Sequence, residues 1–308
     1  MIWDLLVNLL FATLNNLPIY LIAALGGYLS QRVGVYDISM EGNMTLAAVL
    51  ALIGFFVSNS PWVALLFGLF GGFFFGIILA TMALKFYLNQ IVVGFGLWFF
   101  GAGLSSFLYK LYVPGDRSTT GFQSIGNLFG LQGELDGLLR PLELDIIFYL
   151  SILLLLIISF CMYRTSLGLY IRSIGENPAA ADAAGIKIVL IQYFTVTFGA
   201  GLVGVAGAYL AVDFLQGFTH GMVAGRGWIA FAIIIFGRWR PFNIFWGCLL
   251  FAGISGLQIR LQTIGVTLPS ELMTAFPYFA TLIVLIIVMS RSGKAGMPSA
   301  LGATYSRE

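Results

Sequence analysis

Few side chains of this protein could do chemistry, and several of them stand beside apolar stretches. Asp37 and Glu41 lie at the start of one such stretch, and Asn43 and Gln90 are amides at the starts of apolar runs. An ionisable group at membrane depth is costly and is a functional candidate by default. The two carboxylates could pack inward and hold a broken helix beside a solute pathway, or they could stabilise a helix N-terminus, whose dipole favours negative charge. Asn43 and Gln90 could offer hydrogen bonds in the same pathway.

No sequence pattern typical of an enzyme or a metal site accompanies these residues. Cys161 and Cys248 are both inside apolar runs, as small buried thiols often are. The single histidine, His220, lies in a polar segment with Asp213 and Gln216, which we expect near an outer mouth. The phosphate-binding pattern G-x-x-x-x-G-K-[ST] is absent from the sequence. We therefore expect no catalysis, no metal and no cofactor bound by this chain, and no proton relay of carboxylates or histidines.

The composition decides which class of protein must position these residues. Of 308 residues, 59% are hydrophobic and only 9% are charged, whereas soluble proteins carry about 25% charged residues. The apolar runs are roughly 18 to 23 residues long, far longer than the roughly 10 alternating residues of a barrel strand. The sequence predicts an all-α, polytopic bundle in membrane lipid, with residues 1–308 as a single domain. Its net charge of +2, without basic clusters, gives no indication of nucleic acid binding.

We predict about nine membrane spans, within a range of 8 to 10, and the seventh is short enough to be a half-span. They are Ile2–Ala24, Gly42–Val57, Trp62–Leu84, Ile91–Leu111, Ile146–Tyr163, Ile191–Val212, Gly227–Phe236, Phe242–Ile259 and Met273–Met289.

The distribution of Lys and Arg predicts how these spans are oriented. With the loop 164–188 inside, the outer side holds five of the 15 Lys and Arg residues: Lys110, Arg117, Arg140, Arg226 and Arg260. Cytoplasmic loops carry the excess of Lys and Arg in membrane proteins. This places the N-terminus outside and the C-terminus inside. The long outer loop from Tyr112 to Asp145 is either a docking surface or a solvated connector.

Small residues recur at a spacing that favours close helix packing. Gly68, Gly72 and Gly76 repeat every four residues, and Ala200, Gly204 and Ala208 do the same on a later span. Because lipid supplies no hydrophobic force between helices, small residues at this spacing let backbones approach closely. We expect these faces to form tight helix pairs or a subunit interface.

One segment between two apolar runs is too polar to span a membrane. In GENPAAADAAGI, Asn177 is a good N-cap, and Pro178 suits the first helical position. The alanines that follow are the best helix formers, and Gly185 can end the helix in a left-handed conformation. A helix of about two turns is marginal by itself. We therefore expect it to rest on the bundle and on a partner, with an ordinary loop helix as the alternative.

This segment resembles the coupling-loop motif of ABC importer permeases, in the branch for simple sugars, nucleosides and branched-chain amino acids. GVYDISMEGNM, residues 34–44, resembles the G-V-x-N-I-x-L-E-G-x-M element of that family, with Asp37 and Met40 as departures from it. GRGWIAFAIIIFGRWRP, residues 225–241, and the tail PSALGATYSRE resemble the nucleoside-type permeases. The resemblance covers nearly the whole chain and is strongest to the shorter of two paired permeases.

The resemblance implies a type II, vitamin B12 permease-like fold in the bacterial inner membrane. Its cytoplasmic coupling loop would be residues 164–188, and ATP with Mg²⁺ would bind to a separate ATPase subunit. Other expected partners are a second, longer homologous permease and an extracytoplasmic substrate-binding protein or lipoprotein. The residues carried over as the ATPase contact are Gly175, Glu176, Asn177, Pro178, Ala180, Ala181 and Gly185.

Trp98 is a departure that bears on the transported solute. Similar nucleoside-type sequences commonly carry Asn at this position, and Phe95, Phe99 and Phe100 surround it here. An aromatic lining suits a flat aromatic solute. We therefore expect purine nucleosides first, then riboflavin, then simple sugars. The alternatives are a secondary transporter or channel without an ATPase and, more remotely, a membrane enzyme.

Overall fold

The computed structural model shows a bundle of α-helices. It describes residues 2–113, 118–124, 126, 143–263, 275–283, 286, 296–303 and 305. Within these residues no β-strand forms, and one isolated antiparallel bridge pairs Ser124 with Asp145. Seven helices in this part of the chain are long and apolar enough to cross a membrane. The predicted all-α membrane bundle is confirmed.

We number the α-helices with defined bounds in chain order. They are α1 Ile2–Arg32, α2 Met40–Ser58, α3 Pro61–Ala80, α4 Gln90–Tyr112, α5 Ile146–Arg164, α6 Ser166–Glu176, α7 Pro178–Ala183, α8 Ile188–Tyr209, α9 Arg226–Phe236 and α10 Pro241–Thr263. The π-helical turns Thr81–Lys85 and Leu210–Phe214 extend α3 and α8. Residues 275–283 are also helical.

The observed helices follow the predicted spans closely except at the end of the first, and the predicted short seventh span is confirmed. Helix α1 continues to Arg32, beyond the predicted end at Ala24, because polar groups there find buried partners. For example, the indole N–H of Trp239 donates a 2.9 Å hydrogen bond to Gln31 Oε1. The seventh span is the short helix α9, whose 11 residues cover about 16 Å, roughly half of a bilayer core. The ninth predicted span, Met273–Met289, lies partly outside the described residues.

Helix α8 lies at the centre of the bundle, packed against α1, α2 and α3. The two small-residue faces predicted from the sequence meet here. A Cβ added to Gly72 would overlap the carbonyl oxygen of Ala200, and one added to Gly204 would overlap that of Gly68. The prediction of tight helix pairs is confirmed, because these backbones touch where any side chain would separate them.

Helices α2 and α9 both begin inside the bundle, away from its ends. After α1 ends, residues 33–39 run alongside α4, and Ile38 lies beside Gly94. A Cβ on Gly42 would then lie 2.6 Å from the Cα of Trp98, near the middle of α4. Helix α9 starts at the same level, since a Cβ on Gly227 would lie 2.6 Å from the Cα of Glu41. The N-termini of two helices therefore meet in the interior.

Candidate functional site

Glu41 joins these two helix starts. Its Oε1 accepts a 2.8 Å hydrogen bond from the N–H of Gly225, and its Oε2 accepts one of 2.8 Å from the N–H of Gly227. The side chain is buried. The first N–H groups of a helix have no partner within the helix, and the helix dipole favours a carboxylate beside them. Glu41 therefore holds the start of α9 against the start of α2.

Local backbone geometry explains the sequence around the start of α9. Gly225 has a φ of +76°, in the left-handed region that glycine adopts without strain. A Cβ on Gly227 would meet both the backbone and the carboxylate of Glu41. The hydroxyl of Tyr278 donates a 2.9 Å hydrogen bond to the carbonyl of Ala224, which supports the turn from a further helical segment. The Gly-Arg-Gly sequence is thus required for the carboxylate to reach both amides.

An aromatic cluster lies directly beside Glu41, between α4 and α9. The rings of Trp98 and Trp228 meet edge-to-face, with centroids 5.3 Å apart, and Trp98 stacks on Phe99 at 4.7 Å. Phe95 lies 5.7 Å from Trp228 and 6.1 Å from Trp98. Phe99 is 66% exposed and Phe95 is 40% exposed. We call Phe95, Trp98, Phe99 and Trp228 the aromatic cluster; its open faces can stack on a flat ring.

The other residues predicted for the pathway are buried and bonded within the chain. Ser39 donates a 2.7 Å hydrogen bond to Asp37, and Asn43 donates one of 2.8 Å to the carbonyl of Ala200 on α8. Gln90 Oε1 accepts a 2.8 Å hydrogen bond from the N–H of Tyr36. These contacts fix residues 33–39 and α2 against their neighbours. A pathway role for any of the five residues stays a prediction, and Trp98 is the one on a partly open face.

Trp228 was not predicted as a pathway residue, although it lies in the segment 225–241 that resembles the nucleoside-type permeases. The Gly-Arg-Gly before it was the available signal, because glycine is the usual residue in tight turns and at close backbone approaches. Neither Asp37 nor Glu41 is the N-cap of α2. That position is held by Ser39, which makes no side-chain hydrogen bond there. The inward-packing hypothesis describes Glu41 better than the capping hypothesis does, because its hydrogen bonds go to α9.

The short polar helix predicted between two spans is present as α7. Asn177 Oδ1 accepts a 3.0 Å hydrogen bond from the N–H of Ala180, and Pro178 occupies the first turn. Gly185 follows with a φ of +80°. The predicted cap, start and stop are confirmed. Before it, α6 is amphipathic and turns Ile171 and Ile174 into the bundle.

The predicted ATPase-contact residues divide into exposed and buried groups. Ala181 and Gly175 are buried within the chain, and a Cβ on Gly175 would overlap the carbonyl of Arg32. Pro178 is half-buried. Those open to a partner are Glu176, Asn177, Ala180 and Gly185. Three further exposed alanines, which the sequence did not single out, lie on the same segment: Ala179, Ala183 and Ala184.

At the opposite end of the bundle from α7, two carboxylates meet. Asp145, just before α5, hydrogen-bonds Asp213 in the π-helical turn after α8, and the hydroxyl of Tyr209 bonds to both. Asp213 Oδ1 also accepts a 2.5 Å hydrogen bond from the N–H of Phe122. Burial, and then the neighbouring Asp213 carboxylate, raise the pKa of Asp145 to about 7. The pair therefore shares a proton and ties residues 118–124 to α8.

We expect this pair to make the stability of the bundle depend on pH. An unfolded aspartate titrates near about 3.9, so the stability that the shared proton contributes is complete below that pH and is lost as pH rises through about 7. The melting temperature of the purified protein should fall from about pH 4 to about pH 7 and level off above that pH, and Asp145→Asn should flatten that fall. An equal fall in the variant would show that another group is responsible.

Comparison with known proteins gives concordant matches along the whole chain. The family model described as branched-chain amino acid transport system / permease component matches residues 9–289. A Haloferax volcanii protein, provisionally named a glucose ABC transporter permease, is 31% identical over 98% of this chain and 98% of its own. The guanosine ABC transporter permease protein of Bacillus subtilis is 30% identical over 96% of this chain and 95% of its own.

A solved structure supports the same fold. It is an inward-facing ABC transporter, provisionally of metal-chelate type, and it covers 91% of this chain and 85% of its own chain with a TM-score of 0.52. Its identity to this chain is 16%. At that identity the likeness concerns the arrangement of helices alone.

Proposed function

Because the chain belongs to the branched-chain amino acid transport system / permease component family, we propose that it moves a small solute inward by ATP-driven alternating access. The chain is a multi-pass ABC importer permease of the sugar and nucleoside branch, with the type II helical fold expected from the resemblance. As a permease it is a non-enzymatic subunit. ATP and Mg²⁺ bind to its ATPase partner, which supplies the power for transport.

The ATPase partner binds the exposed face of α7 in the cytoplasm. This face is made of small side chains, chiefly Ala179, Ala180 and Ala183, which allow close contact with a groove on another protein. The opposite side of α7 rests on the bundle through the buried Ala181. A movement of the ATPase therefore reaches the bundle through a short helix that is packed on both sides. The exposure pattern of α7 is the observation that supports this role.

Two further partners complete the importer. A second, longer homologous permease pairs with this one, so that the solute pathway runs between the two subunits. An extracytoplasmic substrate-binding protein delivers the solute to the end of the bundle opposite α7. The fold supports this pairing, because the aromatic cluster lies on a side of α4 that is partly uncovered within the chain.

The solute we propose is a purine nucleoside, with riboflavin second and a simple sugar third. This ranking rests on the aromatic cluster. The open faces of Phe95 and Phe99 in that cluster suit stacking on a flat base. The guanosine permease of Bacillus subtilis supports the first choice. The provisionally named glucose permease of Haloferax volcanii supports the third.

Replacing Ala180 by arginine tests the docking face. Ala180 is exposed and follows the N-cap closely, so the long charged side chain should block the partner's groove while leaving α7 folded. We expect copurification of the ATPase and ATP-driven uptake to fall ~10-fold or more, equivalent to ~1.4 kcal/mol of binding, with normal membrane insertion.

Two controls separate docking from folding. Ala180→Ser should keep both activities. Thr120→Arg adds the same charge at an exposed position at the opposite end of the bundle and should leave ATPase copurification intact. Arginine at the buried Ala181 is a poor test, because it would unpack α7 from the bundle. If the ATPase copurifies fully with the Ala180→Arg variant, α7 is not the docking site.

A further inference from the structure

The C-terminal tail, described for residues 296–303 and Tyr305, crosses the end of the bundle that carries α7. The N–H of Ala300 donates a 2.9 Å hydrogen bond to the carbonyl of Gly175 at the end of α6. Tyr305 then donates a 3.0 Å hydrogen bond from its hydroxyl to Asp182 Oδ2 on α7. The tail therefore bonds both to the helix before the proposed docking face and to the docking helix.

The same tail also bonds to the segment that leads into α2. The N–H of Gly302 donates a 3.0 Å hydrogen bond to the carbonyl of Gly34. Gly302 has a φ of +81°, and a Cβ at this position would lie 2.8 Å from the ring of Tyr36. Tyr36 is held in turn by Gln90 at the start of α4. Gly302 is thus packed where only glycine lets the tail touch residues 33–39.

Glu176, the last residue of α6, makes further contacts with the tail and with the end of α1. Its carboxylate lies 3.4 Å from the guanidinium of Arg32 at the end of α1 and accepts a 3.1 Å hydrogen bond from the hydroxyl of Ser299. Arg32 also donates a 3.3 Å hydrogen bond to the carbonyl of Gly296. The tail is therefore fixed near its start as well as at Tyr305.

We propose that the C-terminal tail is a mechanical link that couples α7 to residues 33–39, with Tyr305 as the positioning residue for α7. The proposal rests on the proposed function, because it assigns α7 as the place where the ATPase acts. Gly302 and Tyr305 are three residues apart and can span at most about 11 Å when extended. A displacement of α7 that carries Tyr305 beyond this reach pulls on Gly302 and so on Gly34, and residues 33–39 lead directly to Glu41 and the aromatic cluster.

The length of α7 explains why such a link is needed. The helix has six residues, and so short a helix is not stable without tertiary support. Asn177 supplies a cap at one end, and Tyr305 holds the side chain of Asp182 from outside the helix. Without that bond, α7 could yield to the ATPase locally, and the movement would not be passed to residues 33–39.

Tyr305→Phe removes the hydroxyl and keeps the ring, so it tests the link with little change in packing. In the complete transporter we expect ATPase copurification and ATP hydrolysis to stay at the wild-type level, while solute taken up per ATP hydrolysed falls about fivefold, as the loss of one hydrogen bond would give. Asp182→Asn keeps an acceptor oxygen and should retain coupling. Asp182→Ala should lose it, and adding Tyr305→Phe to Asp182→Ala should lower it no further.

Hydrogen exchange of the permease without its ATPase keeps the test independent of the proposed docking role. The amides of Ala181 and Ala184, which are bonded within α7, should exchange about fivefold faster in Tyr305→Phe than in wild type. Unchanged exchange would overturn the link whether or not α7 binds an ATPase. Faster exchange with unchanged uptake per ATP would also overturn it, because the tail would then only stabilise α7. Failure of docking itself would appear in the Ala180→Arg experiment.

Discussion

Glu41→Gln will abolish most transport while the protein still inserts and still binds its ATPase. A carboxylate offers an oxygen to each of the amides of Gly225 and Gly227, whereas glutamine has one oxygen and one NH₂ group. One buried N–H would lose its acceptor and face another donor, at a cost of ~1–3 kcal/mol. The start of α9 should then move away from α2.

The displacement of α9 connects this variant to transport. Trp228 follows Gly227 immediately and packs edge-to-face on Trp98, so any shift at the start of α9 alters the aromatic cluster. We expect the initial rate of ATP-driven uptake to fall ~10-fold or more, the factor that 1.4 kcal/mol represents. Uptake of labelled solute into vesicles holding the complete transporter measures it.

Thr45→Val is the matched control for Glu41→Gln. Thr45 lies one turn further along α2, and its hydroxyl bonds the carbonyl of Glu41 within the same helix. Valine keeps the shape and removes that local bond, so uptake should stay within about twofold of wild type, because the bond closes no contact between helices. Equal losses in both variants, or normal uptake in Glu41→Gln, would contradict a special role for the carboxylate.

Gly204→Val will prevent the bundle from folding correctly. A side chain at this position overlaps the carbonyl of Gly68 and comes within 2.9 Å of the Cα of Gly72, so α3 and α8 cannot approach. Extra methylenes in a packed core typically cost ~1–3 kcal/mol, and a clash with the backbone should cost more, since backbone cannot rotate away. We expect little monodisperse protein after detergent extraction, measured by size-exclusion chromatography.

Gly103→Val provides the comparison for Gly204→Val. It introduces the same side chain into another membrane helix, at a position where an added Cβ meets nothing within 4 Å. Extraction and elution should match those of the wild-type protein. If both variants behave alike, close contact between α3 and α8 is not what holds the bundle together.

Local features of this protein could be predicted from the sequence because nearby residues determine them. The cap at Asn177 and the stop at Gly185 depend on a few neighbouring residues, and the structure has both. The small-residue faces of α3 and α8 could also be predicted from the sequence, because four-residue spacing places side chains on one face of a helix. The half-length of α9 followed from its short apolar run.

Contacts between distant parts of the chain could not be predicted in this way. Glu41 and Gly225 are 184 residues apart, and the hydrogen bond between them follows from how whole helices pack. Asp145 and Asp213 likewise meet only in the folded bundle, so a shared proton could not be predicted from the sequence. The resemblance of the tail to other permeases identified the segment, but its bonds to Gly34 and Asp182 became visible only in three dimensions.

Uptake into membrane vesicles is the most direct measurement of ATP-driven import by this permease. The vesicles should hold the permease with its companion permease, ATPase and binding protein, and should be offered labelled guanosine, riboflavin and ribose with and without internal ATP. We predict accumulation of guanosine above its external concentration only when ATP is present. Equilibration of any of the three solutes at the same rate with and without ATP would contradict an ATP-driven importer and would favour a channel or secondary transporter.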